Sequence, residues 1–132
     1  MKMLHAIPAM PVKDMKQSVN FYEEKLGFKA IHQDKDFAVL KCNDVLINLW
    51  AASDNSWRNR SSSDPIISGA ETFIAGTASC RIEVIDVDEL HESIKHFNIF
   101  HPNTSLGDRP WGVREFDVLD LDHNLITFFE RL

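Results

Sequence analysis

Histidine, cysteine and acidic side chains are all present in this sequence, but their spacing matches no known catalytic or metal-binding motif. Six histidines are spread along the chain, and His91 and His96 are five residues apart, which does not place them on one helix face. The chain has no nucleophile elbow, no glycine-rich phosphate loop and no H-E-x-x-H pattern. Close carboxylates such as Glu23 and Glu24 are most simply solvated. We therefore expect a protein that is not an enzyme.

Aromatic side chains are better candidates for a functional site than these ionisable groups. Trp111 lies in a predicted loop between Pro110 and Gly112, a context in which tryptophan is less often a core residue. Phe37 opens a predicted strand directly after the polar residues 34–36, although a core position is the commoner fate of a strand phenylalanine. Both residues could present a flat ring to a ligand.

Two further tryptophans are candidates with open alternatives. Trp50 alternates with Asn48 along one predicted strand, so the two side chains share a face, and that face could be a core or a cleft. Trp57 lies beside Arg58 in the polar segment 52–76, and a loop of that length is usually functional or a linker. Trp57 could clamp a ligand or pack against a partner subunit.

The charged residues favour a small ligand over nucleic acid. The formal net charge is −6, whereas nucleic-acid binding needs clustered basic residues, so we expect no nucleic-acid partner. The charge suits a cationic ligand or simply keeps the protein soluble. Arg81 and Arg114 could satisfy carbonyl or carboxylate groups. Five acidic residues near the aromatic candidates could steer a cation: Asp34, Asp36, Asp44, Asp108 and Glu115.

The compartment that the sequence favours is the cytoplasm. No run of about 18 apolar residues predicts a membrane span, and the first residues, broken by Pro8 and Pro11, make a poor signal peptide. Cys42 and Cys80 are not in a C-x-x-C pair and do not indicate a disulfide framework.

Hydrophobic spacing predicts the same order of elements twice. The first half has strands over 4–12, 28–33, 37–42 and 45–51, with a helix from the cap Asp14 to Leu26 before Gly27. The second half has strands over 77–85, weakly over 99–103, and over 114–120 and 125–130, with a helix after the cap Asp86.

An internal repeat relates the two halves. Val12-x-Asp14 matches Val84-x-Asp86 at an offset of 72, and 43–50 matches 122–129 at an offset of 79. We therefore predict one α+β domain over 1–132 with two βαβββ repeats, about 4–51 and 77–130, joined by the loop 52–76. Two such sheets could enclose a cleft within one chain or between two chains.

The duplicated βαβββ unit resembles the vicinal oxygen chelate superfamily, which includes glyoxalase I, extradiol dioxygenases and bleomycin-resistance proteins. The first-helix signature is Val12-x-Asp14, Phe21-Tyr22 and Leu26-Gly27-Phe28. The match to the bleomycin-resistance branch rests on Ala6-Ile7-Pro8, Asp36-Phe37-Ala38-Val39, Pro110-Trp111-Gly112, Arg114-Glu115-Phe116 and Asp120-x-Asp122-x-Asn124.

The resemblance implies curved mixed sheets and a homodimer that exchanges its N-terminal strand, with a hinge near Pro8. It places two ligand clefts at the subunit interface. In that family a phenylalanine and a tryptophan, at the positions of Phe37 and Trp111, come from opposite subunits and sandwich the ligand's planar bithiazole.

The superfamily's enzymes hold a divalent metal with His and Glu. The resemblance places their ligand positions at Ile7, Asn48, Ser79 and Thr127. Ile cannot coordinate a metal, and Ser, Thr and Asn are weak neutral ligands. We therefore expect no metal and no cofactor.

The function that the resemblance implies is sequestration of bleomycin-type antibiotics without chemical change, with the copper state of the drug left open. The alternatives are a metal-dependent glyoxalase or thiol transferase of the same fold, and a binder of another planar natural product such as mitomycin. The candidate ligand contacts are Phe37, Asn48, Trp50, Trp57, Arg58, Asp108, Trp111, Gly112 and Arg114.

Overall fold

The computed structural model describes residues 1–52 and 74–132, so Trp57 and Arg58 lie outside the described residues. The first half contains β1 (Ala9–Val12), α1 (Met15–Leu26), β2 (Lys29–Gln33), β3 (Phe37–Cys42) and β4 (Val45–Ala51). The second contains β5 (Ser79–Glu83), α2 (Val87–Ile94), a 3-10 turn (Lys95–Phe97), β6 (Gly107–Arg109), β7 (Val113–Leu119) and β8 (Leu125–Arg131). None of the helices in these two ranges is long and apolar enough to cross a membrane.

Both predicted helices begin at their predicted caps, and α1 also ends at its predicted cap, whereas α2 ends at Ile94 and a 3-10 turn carries the last predicted apolar position, Phe97. The Asp14 carboxylate accepts a hydrogen bond of 2.9 Å from the Gln17 N–H, which satisfies a free donor of the first turn of α1. Gly27 ends α1 with φ of 75°, a left-handed conformation that costs glycine little. The Asp86 carboxylate accepts from the Glu89 N–H in the same way at α2.

The strands form two four-stranded sheets of identical topology. Their orders are β1-β4-β3-β2 and β5-β8-β7-β6, and in each sheet the first strand runs parallel to the last strand of its repeat. Ala9 lies opposite Asn48, and Arg81 lies opposite Thr127. Because these pairs keep the offsets of 72 and 79, the βαβββ duplication is confirmed at the level of single ladder positions.

Two strand predictions were wrong in extent or position. The first strand begins at Ala9, not at residue 4, and before it only the Pro8 carbonyl joins the ladder, by accepting from the Asn48 N–H. Residues 99–103 form no strand apart from one bridge between Phe100 and Val118. Two backbone hydrogen bonds do join this segment to β7: the His101 N–H donates to the Asp117 carbonyl, and the Leu119 N–H donates to the Ile99 carbonyl. The pairing goes no further because the chain turns at 102–103. The ladder on this edge of β7 is instead formed by Gly107–Arg109, and β8 pairs with the other edge.

Within the described residues, each sheet has one face that a helix covers and one face that no helix covers. The covered faces carry the core, which includes Ala38, Leu40, Ile47, Leu49, Phe116, Val118, Ile126 and Phe128. Because strand side chains alternate, the intervening residues define two further faces. We call Phe37, Val39, Leu46, Asn48 and Trp50 the first open face, and Arg81, Glu115, Asp117, Thr127 and Phe129 the second open face.

A buried polar network joins the two repeats. The Tyr22 hydroxyl of α1 donates to Asp120 Oδ2 over 2.8 Å. The Asn124 amide, which is fully buried, donates to Asp120 and to the Pro11 carbonyl, and accepts from the N–H groups of Gly76 and Ala78. This network makes the turn between β7 and β8 the link between the two halves of the chain.

Candidate functional site

The first open face carries a pair of aromatic rings at one end. Phe37 and Trp50 are direct neighbours across β3 and β4, and their rings meet edge to face with centroids 5.9 Å apart. Trp50 is 37% exposed, and Asn48 lies two residues away on the same face. Asn48 and Trp50 therefore share a face, as their alternation along β4 predicted, and Phe37 lies on that face too, outside the helix-covered core.

The turn before β3 fixes the position of Phe37. Asp34 Oδ1 accepts hydrogen bonds of 2.9 Å from the N–H groups of both Asp36 and Phe37, and its Oδ2 lies 2.9 Å from His32 Nε2. These bonds, first of all the one from Asp36, lower the pKa of the Asp34 carboxyl. We predicted Asp34 only as a steering charge, but the structure makes it the anchor of the turn. The Asp-x-Asp spacing between two strands, typical of a side-chain-capped turn, was the signal for this role.

Trp111 stands in the turn between β6 and β7. Its side chain is 62% exposed, and the following Gly112 has φ of 82°, which this tight turn requires. The Gly112 N–H donates to the Arg109 carbonyl, and the Gly112 carbonyl accepts from the Leu132 N–H. Within the described residues of one chain, no ring contact joins Trp111 to Phe37 or Trp50.

Arg114 and Asp108 lie apart from the first open face. Arg114 alternates with Phe116 and Val118 on the helix-covered side of β7, and its guanidinium binds Asp88 of α2 and Asp108 of β6 at 3.0–3.1 Å. The hydrogen bonds to Asp88 and Asp108 raise the pKa of Arg114, and the bond from Arg114 lowers the pKa of Asp88. The structure therefore brings these two predicted contacts together with each other but not with Phe37.

The second open face is charged where the first is aromatic. The Arg81 guanidinium lies 4.7 Å from the centroid of the Phe129 ring, and its Nη2 lies 2.8 Å from Glu115 Oε2. Arg109 Nε lies 3.4 Å from the other oxygen of Glu115. Glu115, predicted as a steering charge, is only 5% exposed and is held between two arginines. On the same face the Thr127 hydroxyl donates to Asp117.

A cavity of about 250 Å³ lies where the N-terminal segment meets β5. Ile7 and Pro8 line one side of it, Leu46 of the first open face another, and Arg81 and Glu83 a third. Arg81 therefore faces a space that is also reached by the first sheet.

The donor chemistry of the four positions aligned with metal ligands does not suit a metal. Ile7 has no donor atom, Asn48 and Ser79 are neutral, and Thr127 already donates to Asp117. Within residues 1–52 and 74–132, no three His, Cys, Asp or Glu side chains are grouped closely enough to hold an ion. The open faces thus offer stacking and hydrogen bonding.

Residues 2–128 match the family described as the Glyoxalase/Bleomycin resistance protein/Dioxygenase superfamily. Over 130 residues the chain is 57% identical to proteins named "Bleomycin resistance protein" from Geobacillus stearothermophilus and Staphylococcus aureus, and the match covers 98% of each chain.

Solved structures share the fold as well. The bleomycin-binding protein of bleomycin-producing Streptomyces verticillus, solved in complex with copper(II)-bleomycin, superposes with a TM-score of 0.75 at 27% identity. That superposition covers 97% of this chain and 96% of the other. The chain is therefore similar to proteins of this family both in sequence and in three-dimensional fold.

Proposed function

This chain belongs to the Glyoxalase/Bleomycin resistance protein/Dioxygenase superfamily, and we propose that it binds and sequesters bleomycin-type antibiotics without modifying them. The observation that carries the proposal is the pair of rings, Phe37 and Trp50, on a sheet face that no helix of residues 1–52 and 74–132 covers. Its relatives at 57% identity, which are named for bleomycin resistance, supply the ligand class.

The physical basis of binding is stacking on aromatic rings. The bithiazole of bleomycin is flat, and stacking of a base on an aromatic side chain, a comparable contact, is worth about 1–3 kcal/mol per ring. The cationic end of the drug suits a chain with net charge −6. Asn48, beside Trp50, supplies an amide for the polar parts of the drug.

A homodimer with two clefts is part of the proposal. Phe37 opens β3 of the first sheet and Trp111 stands in the turn between β6 and β7 of the second, and we propose that the ring that completes the sandwich is Trp111 of a second copy. The exposed apolar residues Met3 and Leu4 precede Pro8, and an extended segment of this kind suits exchange between two chains.

The remaining predicted contacts take different roles in the proposal. Asp108 and Arg114 flank the turn of Trp111, so their ion pair braces that turn. Gly112 supplies the backbone conformation that the turn needs. Trp57 and Arg58, which lie outside the described residues, are proposed as additional contacts from the polar segment.

The drug brings its own metal in this proposal. The relative from Streptomyces verticillus was solved with copper(II)-bleomycin, and the donor sets described above do not compete for the ion. We propose that the copper-bound drug is accepted and that the protein acts in the cytoplasm, where the two free cysteines, Cys42 and Cys80, stay reduced.

Titration with bleomycin while tryptophan fluorescence is recorded tests the proposal. We expect saturable quenching at micromolar drug or below, and at least about tenfold weaker binding for Phe37→Ala and Trp111→Ala, since each loses one stacking partner. Phe97→Leu, on the helix side of the second sheet, is the matched control and should bind as the wild type does. Absence of quenching in the wild-type protein would refute the proposal.

A further inference from the structure

Within the described residues, Arg81 is the arginine of the second open face whose guanidinium lies over an aromatic ring. Its Cζ atom lies 4.7 Å from the Phe129 centroid, a distance at which a cation and a ring face attract each other. The buried Glu115 carboxylate lies 2.8 Å from Nη2. Two contacts, one with the ring and one with the carboxylate, therefore restrain the group.

The Arg81 side chain nevertheless reaches open space. It remains 46% exposed although its partner Glu115 is buried. It lines the 250 Å³ cavity together with Leu46 of the first sheet. A planar cation that is restrained and still partly exposed can both stack on a flat group and donate hydrogen bonds in its plane.

The neighbouring arginines are not equivalent to Arg81. Arg114 is bound to Asp88 and Asp108 on the helix-covered side of β7. Arg131 pairs with Glu83 and is 74% exposed, so solvent screens its charge. Within the described residues, no aromatic ring lies against its guanidinium. Of the two arginines that the sequence suggested for carbonyl or carboxylate groups, the structure leaves only Arg81 on an open face.

We infer that Arg81 is a specificity-determining residue of the cleft, where its guanidinium forms a plate for a planar, hydrogen-bond-accepting group of the ligand such as a carboxamide or a carboxylate. This inference rests on the proposed function, because it assigns one wall of the same drug-binding cleft. Glu115 is its positioning residue, since the buried carboxylate contacts the guanidinium but is not among the residues that line the cavity. An aromatic ring at this position would accept any flat group, whereas the guanidinium selects one that carries acceptor oxygens.

Three variants of Arg81 and its neighbour separate the plate from its charge. Arg81→Met removes both the planar group and its charge, whereas Arg81→Lys keeps the charge but loses the planar donors. Arg131→Met removes one positive charge from the neighbouring strand β8, on the same face of the sheet. The probes are bleomycin and its derivative in which a carboxylic acid replaces the terminal cationic amine. Affinity is measured by calorimetry, and circular dichroism verifies folding of each variant.

We expect Arg81→Met to weaken bleomycin binding about tenfold, about 1.4 kcal/mol, and Arg81→Lys to weaken it to an intermediate degree. The loss should be larger for the carboxylic acid derivative, and Arg131→Met should stay within about twofold of the wild type. Glu115→Gln should weaken binding less than Arg81→Met, and the double variant should lose no more than Arg81→Met alone.

Two results would overturn the inference while leaving the proposed function intact. In the first, the wild-type protein binds bleomycin, and the Arg81→Met variant binds each of the two probes with the same affinity as the wild type. The other is an Arg131→Met variant that loses as much affinity as Arg81→Met, which would make net charge the cause. A wild-type protein that binds neither probe would instead refute the proposed function itself.

Discussion

At the scale of single residues, side chains alternate between the two faces of a sheet along each strand, and this alternation decides which of the predicted ligand contacts lie on an open face. Asn48 and Trp50 share one face, as their spacing predicted, and the strand pairing brings Phe37 to the same face. Arg114 was chosen from a family motif, but it alternates with Phe116 and Val118, whose burial places all three on the helix side. The alternation of Arg114 with Phe116 and Val118 could already be read from the sequence. The contact between Arg81 and Phe129 was not predictable, because it depends on the pairing of β5 with β8.

Asp34→Ala tests how the first aromatic ring is positioned. The change removes the acceptor of two backbone N–H groups, so the turn before Phe37 should loosen and drug affinity should fall by about three- to tenfold. Stability should change by no more than about 1 kcal/mol, since the turn is exposed. Asp36→Ala, two residues along in the same turn, removes an equal charge without removing the acceptor, and is the control. Equal losses in both variants would show that charge matters and not the turn.

At the scale of elements, helices with clear caps were predictable and short strands were not. Asp14, Gly27 and Asp86 marked the helix ends because capping chemistry is local. β6 has only three residues, Gly107–Arg109, and no alternation to reveal it. Its existence depends on the neighbouring β7, so no local pattern could predict it.

Asn124→Ala tests the link between the repeats. The amide makes four hydrogen bonds in a fully buried position, and its loss leaves the Asp120 carboxylate and the Pro11 carbonyl short of donors. We expect a loss of about 3 kcal/mol in the free energy of unfolding, measured with urea. Asn43→Gly, in the exposed turn between β3 and β4, should change it by less than about 0.5 kcal/mol. A similar small change in both variants would contradict the role of Asn124.

Alkaline pH should destabilise the same region. Burial, with a contribution from Asp120, raises the pKa of the Tyr22 hydroxyl well above 10.0 and that of the Cys80 thiol from 9.0 to about 11. Both groups are neutral in the folded protein, so their stabilising effect is complete below their unfolded pKa values and is lost as pH rises through the folded ones. Urea unfolding should therefore show constant stability near neutrality and a decline above pH 9.

Cys80→Ala is the check on this assignment. It removes the group with the lower unfolded pKa, so the decline should begin nearer pH 10.0, where only Tyr22 contributes. An unchanged onset in this variant would show that Cys80 takes no part in the alkaline transition.

At the scale of the whole molecule, the repeat predicted two matching sheets, and the structure contains them. How the proposed dimer would bring the first open face of one chain to the second open face of another was not predictable, because an interface depends on shape and on contacts between distant parts. The two open faces nevertheless differ within one chain. The first carries the rings of Phe37 and Trp50, and the second carries the guanidinium of Arg81 over Phe129.

Pro8→Gly tests the proposed exchange of N-terminal segments. Glycine removes the restriction on φ at the start of β1, so the free energy of ordering the exchanged segment rises and the balance should shift toward monomer. Sedimentation velocity at several concentrations measures the shift. Pro102→Gly, in an exposed loop, should leave the balance unchanged. A monomeric variant that still binds the drug fully would contradict a cleft shared between two chains.

The most direct test of binding without chemistry is a DNA-cleavage assay with a fixed amount of iron-loaded bleomycin and increasing amounts of the protein. We expect protection to rise linearly and to be complete at one chain per drug molecule, because the proposed dimer has two clefts and would hold two drug molecules. Drug recovered by denaturing the protein should have its original mass and full cleaving activity. Protection by a small fraction of an equivalent of protein, or recovery of an altered drug, would contradict sequestration and would show that the protein acts as an enzyme.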